Sequence, residues 1–148
     1  MRSQLDTRPR TFARGALSSF AEWQTQNLKR LAYRAIWERY FADVDVFLMP
    51  TTFTAAFAHD HSPTDVRMIP LPEGGLQPFW DFLTYIVPAT LTGCPATTAP
   101  VGLTRSGLPV GLQIVAPYFE DATSIAFAQL LAGELGGFQA PPGYETGA

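Results

Sequence analysis

The pattern of apolar and polar positions predicts a long amphipathic helix in the first third of the chain. From Phe20 onward, apolar residues recur at steps of three and four, which is the period of one helix face: Phe20, Trp23, Leu28, Leu31, Ala35 and Ile36. Ser19 and Glu22 have the spacing of a capping box. The predicted helix runs from about Ser19 to Phe41. Its basic residues fall mostly on the other side, where we expect them to be solvated: Lys29, Arg30, Arg34 and Arg39.

Three apolar segments further along predict strands. Residues 46–49 form a continuous apolar run, which is typical of a strand buried on both faces. Such a strand needs a covering layer on each face, which the two or three helices of this chain hardly supply. Segments 96–101 and 109–116 are strand-like and flank an Arg-Ser-Gly turn. Whether these two strands pair as a hairpin stays open at this stage.

Two more helices and one long irregular stretch complete the pattern. Residues 78–91 predict a short helix that Pro88 ends or bends. Asp121 is the predicted N-cap of a helix that runs to about Leu135 with a stripe of Ile125, Ala128, Leu131, Ala132 and Leu135, and two glycines follow it. Residues 52–77 show no clear period, and an irregular stretch of this length is often a pocket loop.

Composition narrows the classes of function. Charged residues make up 16%, against about 25% in ordinary globular domains, which favours a piece of a larger body. The net charge of −3 argues against direct nucleic-acid binding. No apolar stretch reaches the ~18 residues of a membrane span, and residues 1–14 lack a leader pattern. Cys94 is the only cysteine, so no disulfide forms within the chain, and we predict a reducing, cytoplasmic location.

Certain phrases of the sequence resemble a known enzyme family. LTGCPATTAP, SGLPVGLQIVAPYFED and AFAQLLAGELGGF, in this order of elements, resemble the C-terminal third of amidase signature enzymes, from about Phe20 to Tyr144. The resemblance implies an α/β fold: part of a mixed-sheet body in which helices flank strands, incomplete as a free-standing domain. We expect a connecting segment at 1–18, the body at 19–137 and a Pro/Gly-rich tail at 138–148. Whether Met1 is a true start or an internal residue stays open.

The resemblance also implies a mechanism. Family members cleave a carboxamide C–N bond through a Ser acyl-enzyme, using a second Ser on a cis peptide, a Lys and backbone N–H groups that stabilise the oxyanion. This chain contains no Gly-Ser-Ser-Gly loop. Its one Ser pair, Ser18-Ser19, and its one lysine, Lys29, lie about 15 Å apart on the predicted helix, whereas proton transfer needs about 3 Å.

We therefore expect no catalytic residue in this chain, no cofactor and no activity of the chain alone. The expected partners are a small amide substrate and the missing N-terminal portion of the same enzyme, and a homodimer is a further option. The resemblance implies that the short helix before the GCPA phrase helps to line the substrate pocket, through Trp80, Asp81, Thr84 and Tyr85. Asp81 is suited to a polar or cationic part of a substrate. The alternative is packing for the two aromatic residues and a solvated or capping role for Asp81.

Two other groups of residues are weaker candidates for a site. His59, Asp60 and His61 resemble a metal-binding cluster, but no third spaced ligand is evident, and hydrogen bonds that pin a loop explain them better. Cys94 lacks a partnering His motif for a nucleophile and lies in a tight Gly-Cys-Pro path. No metal is therefore expected.

Four functions remain to be compared. The first is the C-terminal part of an amide hydrolase, which the residues favour. The second is a non-catalytic, amidase-like binding or interaction module. The third is the A-type subunit of a tRNA-dependent amidotransferase. The fourth is a metal-dependent hydrolase centred on His59 and His61.

Overall fold

The structure, a computed structural model, describes residues 8–144, with side chains from residue 12 onward. The helices are α1 (Arg8–Ala16), α2 (Phe20–Tyr40), α3 (Leu83–Thr92) and α4 (Asp121–Leu135). The strands are β1 (Phe47–Pro50), β2 (Met68–Pro70), β3 (Leu76–Pro78), β4 (Ala96–Leu103) and β5 (Pro109–Val115), and a 3-10 turn spans Phe79–Phe82. Helix α1 lies inside the predicted connecting segment.

A three-stranded antiparallel sheet forms the centre, in the order β1-β5-β4. Val115 at the end of β5 is paired with Phe47 on one side and with Ala96 on the other. Strands β4 and β5 form a hairpin, which answers the question that the sequence left open. Its turn includes Gly107, whose φ of 81° suits a residue without a Cβ.

The two faces of the sheet are covered by different helices. Helices α2 and α3 cover one face, where the buried residues Ala89, Cys94 and Val115 pack with Trp37, Phe41, Phe47 and Met49. Helix α4 covers the other face, and its buried Ser124 shares a 2.8 Å hydrogen bond with Thr97 of β4. This α/β arrangement confirms the predicted fold class.

Strand β1 is present as predicted, but it is not buried on both faces. It lies at the edge of the sheet and pairs only with β5 among the described residues. Leu48 is 45% exposed, although its paired neighbour Ile114 is fully buried. Helix α4 covers the centre of that face but not its edge at β1. This agrees with the expectation that two or three helices hardly supply the layers that the strand needs.

Helix α2 has the predicted bounds and cap, but the side that packs against the rest of the chain is not the predicted one. Ser19 and Glu22 form the complete capping box. None of its residues is fully buried, and the apolar residues of the predicted stripe are largely exposed. Arg34, which we expected to be solvated, is half-buried and donates a 2.6 Å hydrogen bond to the carbonyl of Thr92. That partner is 58 residues away, so no local pattern predicts it.

Three further predictions need correction. Of the two predicted effects of Pro88, an end of the helix is wrong: α3 continues to Thr92, since the proline removes only the bond to the carbonyl of Thr84. A bend at Pro88 stays a prediction. Asp121 is the first residue of α4 rather than its N-cap. Glu120 holds the N-cap position, and its carboxylate accepts from the Thr123 hydroxyl rather than from a backbone N–H of the first turn. Residues 52–77 are mostly irregular but include β2 and most of β3, a short antiparallel pair.

The predicted stripe of α4 is also only partly correct. Ala128, Leu131 and Ala132 are half-buried, whereas Ile125 and Leu135 are exposed. The fully buried residue of the helix is Ser124, which bonds Thr97 of the sheet. The buried position lies one residue before the predicted stripe begins. The predicted end of the helix is confirmed, because Gly136 adopts a left-handed φ of 89° at its C-cap.

Candidate functional site

The four predicted substrate-binding residues lie on one continuous segment at the start of α3. Trp80 and Asp81 belong to the 3-10 turn, and Thr84 and Tyr85 belong to the first turn of α3. Thr84 is exposed and the other three are half-buried. The segment therefore offers an indole, a carboxylate, a hydroxyl and a phenol within two turns of helix.

Within that segment the two aromatic residues contact different neighbours. The ring of Trp80 lies 6.0 Å from the ring of Phe12 in α1 and 5.9 Å from that of Phe79. The ring of Tyr85 lies 6.4 Å from that of Phe53, in the loop after β1. The structure thus holds the four residues in one segment but directs the two rings against separate elements.

An aromatic cluster that the sequence pattern did not predict supports this segment. Phe53 stacks on Phe82 at 4.4 Å between ring centroids, and Phe57 stacks on the same ring at 5.8 Å. Phe79 meets Phe82 edge-on at 5.5 Å. Offset and edge-on arrangements of this kind stabilise beyond the area they bury. Phe53 and Phe57 belong to the stretch without a clear period, so only their aromatic character pointed to them.

Helix α3 is held by other elements near both of its ends. In its first turn, the side-chain amide of Gln113 in β5 donates a 2.7 Å hydrogen bond to the carbonyl of Tyr85. At its end, the Arg34 guanidinium bonds the carbonyl of Thr92 and lies 3.6 Å from the centre of the Tyr118 ring. Gly93 follows in a left-handed conformation, with φ of 77°. The candidate residues therefore lie at the start of a helix that side chains from distant elements hold near both ends.

Two adjoining grooves lie next to the loop that follows β1. One has a volume of about 360 Å³ and the other about 540 Å³, and they share residues of the segment 54–56. Thr51 donates a 3.2 Å hydrogen bond to the carbonyl of Gly111, whereas the buried hydroxyl of Thr52 has no partner in the described structure. The four candidate residues do not line either groove.

The loop with the two histidines is pinned by Asp60. The carboxylate of Asp60 accepts a 2.9 Å hydrogen bond from the backbone N–H of Ser62, and Arg67 donates to the carbonyl of Ser62 at 2.6 Å. Hydrogen bonds from the Ser62 side chain and backbone lower the pKa of Asp60. Within residues 8–144, no three side chains of His, Cys, Asp or Glu are grouped to hold a metal. The metal-dependent alternative gains no support.

The other residues considered for catalysis have structural surroundings. Cys94 is buried in the core cluster beneath α3. Ser19 accepts from the backbone N–H of Glu22, and Ser18 donates to the carbonyl of Gly15. Lys29 lies in the middle of α2, as predicted.

In the part of the chain that the structure describes, no helix is both long and apolar enough to cross a bilayer.

The fold and the sequence together define the class. The model of the Amidase family matches residues 4–125, and the chain belongs to that family. This confirms the resemblance that the GCPA and SGLPVGLQ phrases indicated.

Among curated proteins, the chain is similar to the A-type subunit of glutamyl-tRNA(Gln) amidotransferase from several bacteria. The protein from Rhodospirillum rubrum is 36% identical over 108 residues, which cover 73% of this chain and 19% of the relative. The protein from Zymomonas mobilis is 35% identical over 119 residues, which cover 80% of this chain and 22% of the relative. The chain thus spans about a fifth of the length of these relatives.

Solved structures show the same fold. A crystal structure of an amidase superimposes with a TM-score of 0.63 and 24% identity, over 82% of this chain and 26% of the other. The A-type subunit of the glutamyl-tRNA(Gln) amidotransferase from Thermotoga maritima gives a TM-score of 0.55 and 24% identity, over 83% of this chain and 25% of the other. The architecture described above is therefore a portion of the amidase fold.

Proposed function

We propose that this chain is the C-terminal part of an amidase that hydrolyses a carboxamide to a carboxylate and ammonia or an amine. The acyl-enzyme Ser, the second Ser and the Lys lie upstream, on polypeptide outside this chain. The observation that carries the proposal is the match to the Amidase family over residues 4–125 of a chain that has no Gly-Ser-Ser-Gly loop and only one lysine. Its buried cysteine fits a cytoplasmic location.

In this proposal the chain supplies strands to the central sheet and a wall of the substrate pocket. Trp80 and Asp81 bind the part of the substrate away from the scissile bond. The half-buried carboxylate of Asp81 favours a polar or cationic group, and the indole favours apolar surface beside it. The hydrogen bonds from Gln113 and Arg34 hold this wall in place. A fixed wall matters because a bound substrate reacts fast only when its reacting atoms are held at the right distance and angle.

The test compares the isolated chain with a chimera. In the chimera, the matched segment of the Zymomonas mobilis relative is replaced by this chain, so that the upstream residues come from that relative. We expect ammonia release from the chimera and none from the isolated chain with benzamide, propionamide or glutamine. Turnover by the isolated chain that is lost in Lys29→Ala would contradict the proposal.

A variant in the same chimera tests the proposed wall. Asp81→Asn should raise KM with little change in kcat for a substrate that carries an ammonium group, because the carboxylate contacts substrate remote from the reacting atoms. The same variant should leave KM for propionamide, which lacks that group, nearly unchanged. Equal effects on both substrates would remove the assigned role of Asp81.

A second candidate function is the A-type subunit of a tRNA-dependent amidotransferase. It is favoured by the name that curated relatives share, at 35–36% identity over most of this chain. Such a subunit releases ammonia from an amide donor and passes it on with partner chains. A preference of the chimera for glutamine over propionamide would favour this function, and the reverse preference would favour a general amidase.

A further inference from the structure

The apolar stripe of α2 does not face the core of this chain. Arg34, Trp37 and Phe41 contact the end of α3 or the core cluster beneath it, and Tyr40 also packs against Phe47 of β1. At about 100° per residue, the stripe that includes Leu28 and Leu31 is centred about 100° further around the helix. Leu28 is 63% exposed and Leu31 is 39% exposed. A helix with this pattern normally buries its apolar side.

The total surface indicates how much polypeptide is needed to cover it. The accessible surface of the chain is 10961 Å². A compact monomer of this size has about 7,500 Å², so this chain exposes about 3,500 Å² more than a compact fold would, polar and apolar surface together. A standard interface covers only about 800 Å² on each partner, so a second copy at standard size would cover less than a quarter of the excess.

The solved structures show how much additional polypeptide accompanies this fold. The chain corresponds to 26% of the matching amidase and to 25% of the matching amidotransferase protein. Proteins with this fold therefore carry about three further lengths of this chain. That amount is enough to cover the stripe and the edge of the sheet at β1.

We propose that an exposed part of the α2 stripe, formed by Phe20, Leu28 and Leu31, is the contact surface for the N-terminal catalytic portion of an amidase polypeptide. Among the described residues, β1 pairs with β5 alone, and Leu48 on this strand is 45% exposed, so the sheet also leaves an edge and an apolar side chain uncovered. This inference rests on the proposed function for the identity of the partner, but it concerns burial and not turnover.

The experiment uses a matched pair of variants in the chimera described above and in the isolated chain. Leu28→Lys changes the stripe. Tyr33→Lys changes a residue of similar exposure, 54%, on the opposite side of the same helix. Thermal unfolding is followed by far-UV circular dichroism, with no assay of ammonia release.

In the chimera, Leu28→Lys should lower Tm by at least about 5 °C, because it places a charge in a buried contact, and Tyr33→Lys should lower it by less than about 2 °C. In the isolated chain, diluted until it is monomeric, both shifts should stay within about 2 °C, because both positions face water. Equal shifts in the chimera, or an insoluble chimera, would overturn the inference. A discrete dimer of the isolated chain that Leu28→Lys dissociates would overturn it in favour of a second copy.

The two proposals fail in different ways. A chimera with the expected Tm pattern but no ammonia release would keep the contact surface and reject the catalytic assignment. A chimera that releases ammonia but tolerates Leu28→Lys as well as Tyr33→Lys would keep the catalytic assignment and reject the contact surface.

Discussion

Arg34 holds the end of α3 and the turn after it through two contacts. Its guanidinium reaches the last carbonyls of a helix, where a cation is favoured by the helix dipole. It also lies on the face of the Tyr118 ring. The helical period alone placed this arginine on the solvated side, because the sequence contains no signal for a partner 58 residues away.

Arg34→Ala should destabilise the chain by about 2 kcal/mol, since it removes a charge-assisted hydrogen bond and a cation–π contact. Arg39→Ala is the matched control on the exposed part of the same helix and should change stability by less than about 0.5 kcal/mol. Urea unfolding measures both variants. Equal losses would show that the contacts of Arg34 contribute nothing specific.

Two glycines allow steric crowding to be separated from backbone strain. Gly93 and Gly107 both have a positive φ, of 77° and 81°. A Cβ on Gly93 would lie 2.9 Å from an Arg34 nitrogen and 3.2 Å from the Tyr118 ring, whereas a Cβ on Gly107 would meet open space.

Gly107→Ala should therefore cost about 1–2 kcal/mol from backbone strain alone. Gly93→Ala should cost more, by about a further 1 kcal/mol or above, because Arg34 and Tyr118 must move as well. Urea unfolding compares the two. A Gly93→Ala variant as stable as Gly107→Ala would mean that the turn adapts without cost.

At the scale of elements, the sequence predicted those that carry local signals. The capping box at Ser19, the turn at Gly107 and the glycine after α4 mark element ends through nearby bonds, and the structure confirms each. The β2–β3 pair is short and lies in a stretch without a period, so the sequence did not predict it. Which side of α2 is buried also escaped prediction, because that depends on what packs against it.

The capping box offers a prediction at this scale. The backbone N–H of Ser19 and then its hydroxyl donate to the Glu22 carboxylate and lower its pKa. The ionised Glu22 carboxylate therefore stabilises the folded chain. This contribution is fully present above the pKa that Glu22 has in the unfolded chain, and it is lost as the pH falls below about 4.

Ser19→Ala should destabilise α2 by about 1 kcal/mol at neutral pH through loss of the cap. It should also raise the pKa of Glu22, because the hydroxyl donor is lost. The rise should stop short of the ordinary value, because the backbone N–H of residue 19 still donates to the carboxylate. Ser18→Ala, which loses only a bond to the carbonyl of Gly15, is the control and should leave that pKa in place. NMR titration of Glu22 measures the pKa. An unchanged value in Ser19→Ala would contradict the capping account.

At the scale of the whole molecule, the candidate wall was foreseen only through the family resemblance. Trp80 and Asp81 were chosen from the resemblance, and the structure adds the aromatic cluster around Phe82 and the supports at Gln113 and Arg34. Those supports join distant parts of the chain, which periodicity cannot show. The exposed apolar side of α2 and the exposed Leu48 are the surfaces that the proposed further polypeptide would cover.

Sedimentation velocity of the isolated chain, with dye binding by 1-anilinonaphthalene-8-sulfonate in the same samples, tests that continuation most directly. The account predicts heterogeneous association that grows with concentration and strong dye binding, because large apolar surfaces meet water. A single monomeric species that binds no dye and unfolds cooperatively would contradict it.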